Sequence, residues 1–468
     1  MKWMCGVSGK MGMWTWCLCF FSIVLWSHGD AAGSELSPLT LEACIDLALS
    51  RNPNIMEARQ RQRAAEERIL QARSGQYPEV NLGATGGYIS EKNNITMDDM
   101  VVSLPGMSPV TIPGREMVTG SREKADLFLS LTQPVYMGGR IQAGIRKATA
   151  ARDIARHREA LSETMVRHQV TAMFYQLAKA TAYRQVVKTS LTLIERHLED
   201  AENMRDQGML LQSDIHPINI RRLDTQLMLV KAKNDVARSR AALAERMGMP
   251  PDTTLSIAVF WDQAPPWPIP ETLSAQTGLR HEQKIVGRQI DMADTDIHIA
   301  QGASRPEIGV SVSGHYGYPG FNSMDPAWDK WWQAGVNVTF PLFDMNGRHH
   351  GEQAARIEKK RLEKTREAVN HQISLDQINA RLAYEETCRN IAITREKVVA
   401  AEENYRLKND NFKVGMATNT DFLDAHTELV KANTEQVLVA AENRIAWSKF
   451  LQAMGRDGWT DKKKENNR

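Results

Sequence analysis

Two stretches of about 70 residues, Gly138 to Gln207 and Gly347 to Val414, contain no proline. Both are rich in Ala, Arg, Glu and Gln, which favour helix. A continuous helix over either would be a rod of about 100 Å at 1.5 Å per residue. A globular domain has no use for such a rod. A length of 468 residues alone suggests about three globular domains; the rods point instead to an elongated architecture.

The rods belong to a duplicated unit. Gln133-Pro134-Val135-Tyr136 resembles Phe340-Pro341-Leu342-Phe343, with the prolines 207 positions apart. Gly208 and Gly415, Asp214 and Asp421, and Gly248 and Gly455 repeat the same spacing of 207. Upstream, Tyr77-Pro78-Glu79-Val80 matches Arg305-Pro306-Glu307-Ile308 at an offset of 228, as Tyr88 matches Tyr316. The 21-residue change of offset predicts a longer loop in the first copy. Such self-similarity outranks length as a guide to architecture. The copies span 53–248 and 281–456, joined by 249–280 and preceded by 32–52. Each reads as helix, strand, loop, strand, very long helix, turn, helix. In the first, Asn54 to Ser74 is a polar helix with Pro53 in its first turn, where a missing N–H costs little.

After each turn comes a helix with a three-and-four spaced seam. Ile220, Leu223, Leu227, Val230, Asn234, Ala237, Ala241 and Ala244 form one; Phe422, Ala425, Leu429, Ala432, Val439, Ala446 and Phe450 form another. A further stripe (Val430, Val437, Ala441, Leu451) gives the second helix a neighbour on each side. The many alanines imply close helix approach.

Four short runs alternate apolar with polar residues. Val80, Leu82, Ala84 and Tyr88 alternate with Asn81, Gly83 and Thr85; Leu127, Leu129 and Leu131 with Phe128, Ser130 and Thr132. Ile308, Val310, Val312 and Tyr316 alternate with Ser311, Ser313 and His315; Ala334, Val336 and Val338 with Gln333 and Asn337. The strands are expected at about 80–90, 125–134, 307–317 and 332–341. A strand between lipid and an aqueous lumen reads this way; so does a half-buried sheet on a soluble domain. Tyr88, Tyr316, Tyr318, Trp328, Trp331 and Trp332 gather at the loop-side ends, as in an interface belt. Four strands cannot close a barrel, and an open edge in lipid leaves backbone groups unsatisfied. The chain is therefore expected to oligomerise, with a trimer giving twelve strands and a dimer eight.

The first 31 residues supply the compartment. Lys2 and Lys10, an apolar run from Met11 to Trp26 and the small-x-small triplet Gly29-Asp30-Ala31 have the order of a secretory signal. Three of the five cysteines leave with it, and Cys44 and Cys388 are expected as unpaired thiols. No later run is apolar enough for a spanning helix. The charge of +2 argues against a nucleic-acid partner. Charged residues at 24% and a mean hydropathy of −0.42 exclude a polytopic helical membrane protein. The tail over 457–468 is charged and expected to be disordered.

Chemistry finds little support. The mature chain carries no phosphate-binding loop, no HExxH and no nucleophile elbow, so neither enzyme nor cofactor is expected. His349-His350 starts a helix and is read as structural, and Met204, Met209 and Met416 as gap fillers rather than soft-metal ligands. The competing class is a periplasmic structural or adhesin-like coiled coil without a pore.

Several segments together resemble the TolC-like outer-membrane efflux protein family. They are Leu39-Thr40-Leu41-Glu42-Ala43 with Ala48-Leu49-Ser50-Arg51-Asn52-Pro53, the two post-strand segments around Pro134 and Pro341, and Val414-Gly415 through Asp421-Phe422-Leu423-Asp424-Ala425. The resemblance covers roughly 36–456. It implies a mainly α fold with a small β part: a homotrimer whose 12-stranded barrel crosses the outer membrane of a Gram-negative bacterium and continues as a periplasmic helical tunnel. Residues 32–52, 249–280 and the segment after Phe450 would form an equatorial belt, with Pro134 and Pro341 at the barrel–helix junction. The implied function is a passive exit duct of a tripartite efflux or type I secretion system. Its partners would be a periplasmic adaptor and an inner-membrane RND or ABC transporter. The tip turns at Gly208 and Gly415, with Ser213, Asp214 and Thr420, would dock the adaptor. Asp421 and Asp424 match the family's entrance carboxylates, whose three copies would form negative rings that hold cations; N-capping is the other role open to them. Where some members carry a tyrosine and an arginine that link helix pairs, this chain has Phe412 and Ala417. The closed tip must be held otherwise, with Ser213 and Asp214 as candidates.

Overall fold

The computed structural model describes residues 38–119, 121–261, 265–270, 279–321 and 327–456. The expected leader and tail lie outside these residues, as do parts of the 249–280 connector. Seven helices and eight strands are described. They are α1 (Leu41–Arg51), α2 (Pro53–Ser74), α3 (Arg140–Asp206), α4 (Gln212–Arg246), α5 (His281–Gly302), α6 (Gly347–Lys413) and α7 (Asn419–Ala453). The strands are β1 (Glu79–Tyr88), β2 (Asn93–Met97), β3 (Met100–Val102), β4 (Val110–Ile112), β5 (Arg115–Thr119), β6 (Glu123–Met137), β7 (Glu307–Tyr318) and β8 (Asp329–Thr339).

The rods are real: α3 and α6 have 67 residues each. The shorter helices lie along them, α2, α4 and α5 on α3, and α5 and α7 on α6, while α3 also meets α7. The two copies are thus knitted side by side. The duplication extends to the backbone. Gly138 and Gly139 lead into α3 with φ of 63° and 85°, and Met345 and Asn346, each 207 positions on, lead into α6 with φ of 52° and 65°. Glycine adopts this conformation freely; methionine does so at a cost of about 1–2 kcal/mol.

β1, β6, β7 and β8 form one antiparallel sheet in that order. β1 and β8 are its edges, and no described strand covers either. One face carries Leu82, Leu129, Val336 and Val338, all more than half exposed. The other carries Asn81, Ser130, Ser313 and Gln333, one cross-strand row. β6 runs through Pro134 rather than ending there. A bulge between Pro134 and Tyr136 takes up the missing N–H, beyond the last residue of β1 paired with it.

Two further expectations change. The longer loop of the first copy is a paired ribbon: Ile89 N donates to Arg122 O at 2.8 Å, then β2 pairs with β5 and β3 with β4. The seam of α4 faces out of the chain from Ile220 to Ala237, with Leu227 70% and Ile220 60% exposed, while its last member, Ala244, is buried. α4 is instead buried through Ile215, Ile218, Thr225, Ala232, Val236 and Leu243. Periodicity shows that a face is apolar, not which chain covers it. The seam of α7, by contrast, is buried at Phe422, Ala425, Leu429 and Ala432.

Midway along the rods, α1 closes a core of Cys44, Ala48, Val170, Phe174, Leu243 and Leu255. Leu39 joins residues 256–258 through a short bridge, its N donating to Ser256 O at 2.8 Å. Asn52, 2% exposed, fixes the α1–α2 corner: its Oδ1 accepts from Asn54 N at 2.9 Å and its Nδ2 donates to Arg246 O at 2.8 Å. On the second copy, Tyr384 donates its hydroxyl to Pro266 O at 2.7 Å and packs on Phe450 and Ile269. Cys44 and Cys388 are unpaired.

Candidate functional site: the two helix tips

The ends of the rods carry the residues that the sequence singles out. α3 stops at Asp206 because Gly208 turns the chain at φ 78°, and α6 stops at Lys413 because Gly415 does so at φ 74°. Met209 N returns to Met204 O and Met416 N to Asn411 O, at 2.9 and 2.8 Å, closing the orphan carbonyls as glycine-ended helices do. Met209 and Met416 are left 58% and 81% exposed.

Both following helices begin with an acid in the third position. In α4, Asp214 accepts from Leu211 N at 3.0 Å. In α7, Thr418 Oγ1 accepts from Asp421 N at 3.2 Å while Asp421 Oδ2 accepts from Thr418 N at 3.1 Å and from the Thr418 hydroxyl at 2.7 Å. This is a reciprocal capping box. Lys408 adds an ion pair to Asp421 Oδ1 at 2.9 Å. The Thr418 hydroxyl first, then Lys408, hold the Asp421 carboxyl down to about 2. Asp421 is therefore a charge already answered within its own chain. Asp424 sits one turn on, is exposed, and makes no hydrogen bond or ion pair among the described residues. Ser213 and Thr420 are exposed as well.

What ties the two tips together lies one layer deeper. Asn419 Nδ2 donates to Asp214 O at 3.1 Å, so the carbonyl of Asp214, not its carboxylate, links the copies. The Oδ1 of Asn419 meets His197 Nε2 at 3.0 Å. His197 is 2% exposed and lies flat on Phe422, with centroids 3.4 Å apart and planes at 9°. Phe412 packs on the same imidazole at 4.5 Å. Phe412 is buried among Ile194, Ala201, Ile215 and Ile218, with Ala417 at the margin. The two positions that break the family's polar pattern thus belong to an apolar plug spanning α3, α4 and α6. A turn further along, buried His426 meets Ser190 Oγ at 3.1 Å, and Arg221 donates to Thr427 Oγ1 at 2.6 Å. Burial pushes His426 down to about 4 and lowers His197 too. The sequence gives no local signal for this cluster, since Ser190 and His426 are 236 positions apart. Its one legible trace is Phe412 itself, apolar where a polar link is expected.

A pair of 67-residue helices, a four-stranded sheet with an uncovered apolar face, and capped tips define a class of membrane conduit. No described helix is long and apolar enough to cross a membrane. The chain belongs to the outer membrane efflux protein family, which it matches over residues 44–249 and 288–456. It is 24% identical to Protein CyaE of Bordetella pertussis over 439 residues, covering 91% of this chain and 85% of that one. It is 22% identical over 442 residues to the outer membrane efflux protein BepC of Brucella suis, covering 92% and 87%. The fold matches the outer membrane protein VceC of Vibrio cholerae with a TM-score of 0.71 at 16% identity, over 89% of this chain and 96% of that one. The protein is an outer-membrane efflux channel, and the pore-free coiled coil is set aside.

Proposed function

We propose that three copies close one 12-stranded barrel and one helical tunnel, forming a passive duct with no chemistry of its own. The observation that carries this reading is the sheet. It has two uncovered edges, β1 and β8, and an apolar face, and backbone groups at such edges go unsatisfied in lipid unless a further strand pairs with them. The outward seam of α4, at Ile220, Leu223, Leu227 and Val230, supplies a matching contact between copies along the tunnel wall. A periplasmic adaptor would dock on the tip turns at Gly208 and Gly415, beside Ser213, Asp214 and Thr420. An inner-membrane transporter would deliver the substrate.

The entrance carboxylates divide the work. Asp421 caps α7 and is paired with Lys408, so Asp424 carries most of the free negative charge at the tip. Three copies would make a ring that holds cations by electrostatic focusing. The test is single-channel recording in planar bilayers, with a trivalent metal cation added at the tip side. Asparagine keeps an acceptor for the Thr418 N–H, so Asp421→Asn with Asp424→Asn should abolish block without unwinding α7. Asp424→Asn alone should remove most of it. Unchanged block in the double variant would overturn the ring.

A further inference from the structure

One row of the sheet does not fit its face. Between the Pro134 bulge and the loop ends, the strands present polar or small residues on the side opposite Leu82, Leu129 and Val336, except at a single height. There the register places Gly83 of β1, Phe128 of β6, His315 of β7 and Trp331 of β8 side by side across all four strands. The belt position expected for Trp331 therefore does not hold. It belongs to the same face as Gln333 and Asn337, while its neighbour Trp332 is 76% exposed on the apolar face. Phe128, His315 and Trp331 are the rings on the polar face among the described strand residues.

The row is built, not incidental. His315 stacks on Trp331 with centroids 5.0 Å apart and planes at 3°, and on Phe128 at 5.8 Å and 30°. The imidazole is held at both nitrogens: Nδ1 donates to Asp126 Oδ2 at 2.9 Å, and Nε2 meets Ser313 Oγ at 3.0 Å. Two glycines make room for the flanking rings. A Cβ on Gly83 would stand 2.4 Å from Phe128 Cζ, and one on Gly317 would stand 3.0 Å from Trp331 Cη2. The Phe128 and Trp331 rings thus lie down along the wall instead of standing into the lumen. The next row towards the Tyr88 end of β1 is Thr85, Asp126, Gly317 and Asp329, which sets two carboxylates beside the aromatic row. Rows on one face are about 7 Å apart, since each strand residue advances about 3.4 Å. Lys124, opposite Gly87, bounds the acidic band on its far side.

We propose that the Phe128–His315–Trp331 row, with Asp126 and Asp329, is a wall site of the duct for organic cations that carry an aromatic or quaternary group. The inference rests on the duct reading above, in which this face is the lumen. Stacked rings attract a weakly hydrated cation through their π faces, and a molecule of drug size spans the distance from ring to carboxylate. An organic anion of the same size meets the same rings but is repelled by the carboxylates. A small inorganic cation keeps its water shell and gains little from the rings.

The test uses the full trimer in planar bilayers, with benzyltrimethylammonium or benzenesulfonate added on the barrel side. Both carry one phenyl ring and differ in charge. Benzyltrimethylammonium is expected to reduce the current at a roughly tenfold lower concentration than benzenesulfonate. Trp331→Leu, and separately Phe128→Leu, should raise its half-blocking concentration severalfold to about tenfold. Trp331→Phe, which retains a ring, should restore most of the block. In a background of Asp421→Asn with Asp424→Asn, which removes the tip ring, Trp331→Leu should raise the half-blocking concentration by the same factor, which separates this site from the tip. Equal potency of the two probes on the wild type would overturn the proposal without any variant. So would unchanged block in a Trp331→Leu trimer. A wild-type preparation without pores would sink the duct itself, a different failure from pores whose block ignores charge.

Discussion

Acid should loosen the tip, where His426 sets the size of the effect, and separately the middle of the rods, where burial pushes His168, beside Ser448, down to about 4 as well. The imidazole is 1% exposed, holds Ser190 Oγ through Nε2 and leaves Nδ1 buried without a partner. The rings of Phe422 and Tyr405 close around it, and His197 and Arg221 are the charged or titratable groups that lower its proton affinity after burial has done so. A shift from 6.5 to about 4 corresponds to about 3 kcal/mol at 1.36 kcal/mol per pH unit. The sign follows from proton uptake. Below pH 6.5 the opened segment binds a proton that the packed one refuses, so stability falls as pH drops from about 6.5 towards 4 and levels off below that. His197, lowered for the same reason, adds in the same direction. Hydrogen exchange over the first turns of α7, corrected for the intrinsic pH dependence, should show opening roughly a hundredfold more frequent at pH 4 than at pH 7. In His426→Gln, which keeps a hydrogen-bonding group towards Ser190 but cannot titrate, most of that difference should disappear. The same pH dependence in wild type and variant would refute the assignment, as would faster exchange spread evenly along α7.

The turn glycines should separate by surroundings. Gly415→Ala meets open space and carries only the left-handed penalty of about 1–2 kcal/mol, whereas Gly138→Ala also drives a Cβ to 2.2 Å from Gly302 O. Trimer melting should therefore drop modestly for the first and steeply for the second. Asn52→Ala removes an N-cap and strands the Arg246 carbonyl, and should cost about 2 kcal/mol in denaturant titrations. Leu227→Asp places a charge on the outward seam of α4, and native gels should show loss of the trimer with far-ultraviolet helix content preserved. An unchanged trimer would show that this face is not a contact between copies.

The features that the sequence reveals are those with local periodicity. The absence of proline exposes α3 and α6, alternation exposes β1, β6, β7 and β8, and the 207-residue offset reports the duplication down to the backbone at Met345 and Asn346. The ribbon of β2 to β5 escapes because residues 89–122 hold prolines and glycines among their apolar residues, a composition that reads as loop. The tip plug and the aromatic row escape for another reason. Each depends on which distant residues come to lie opposite one another: His197 against Phe422, Phe128 against His315. Strand alternation gives the face of Trp331 only once its register with His315 is fixed.

The two tips of one chain are alike in path and unlike in charge. Both carry a capping acid, Asp214 and Asp421, but the first offers Arg205 bound to Asp206 and Gln212, with Pro217 at the position where the second has exposed Asp424, and the second pairs Asp421 with Lys408. In an assembly of three copies the six turns would look nearly equivalent to a ring of six docking hairpins, yet every other turn would present a different electrostatic face. A sixfold partner would therefore meet two classes of seat, one of each per chain. It could occupy all six only by tolerating both, or arrange its own subunits as pairs that alternate in step with the duplication.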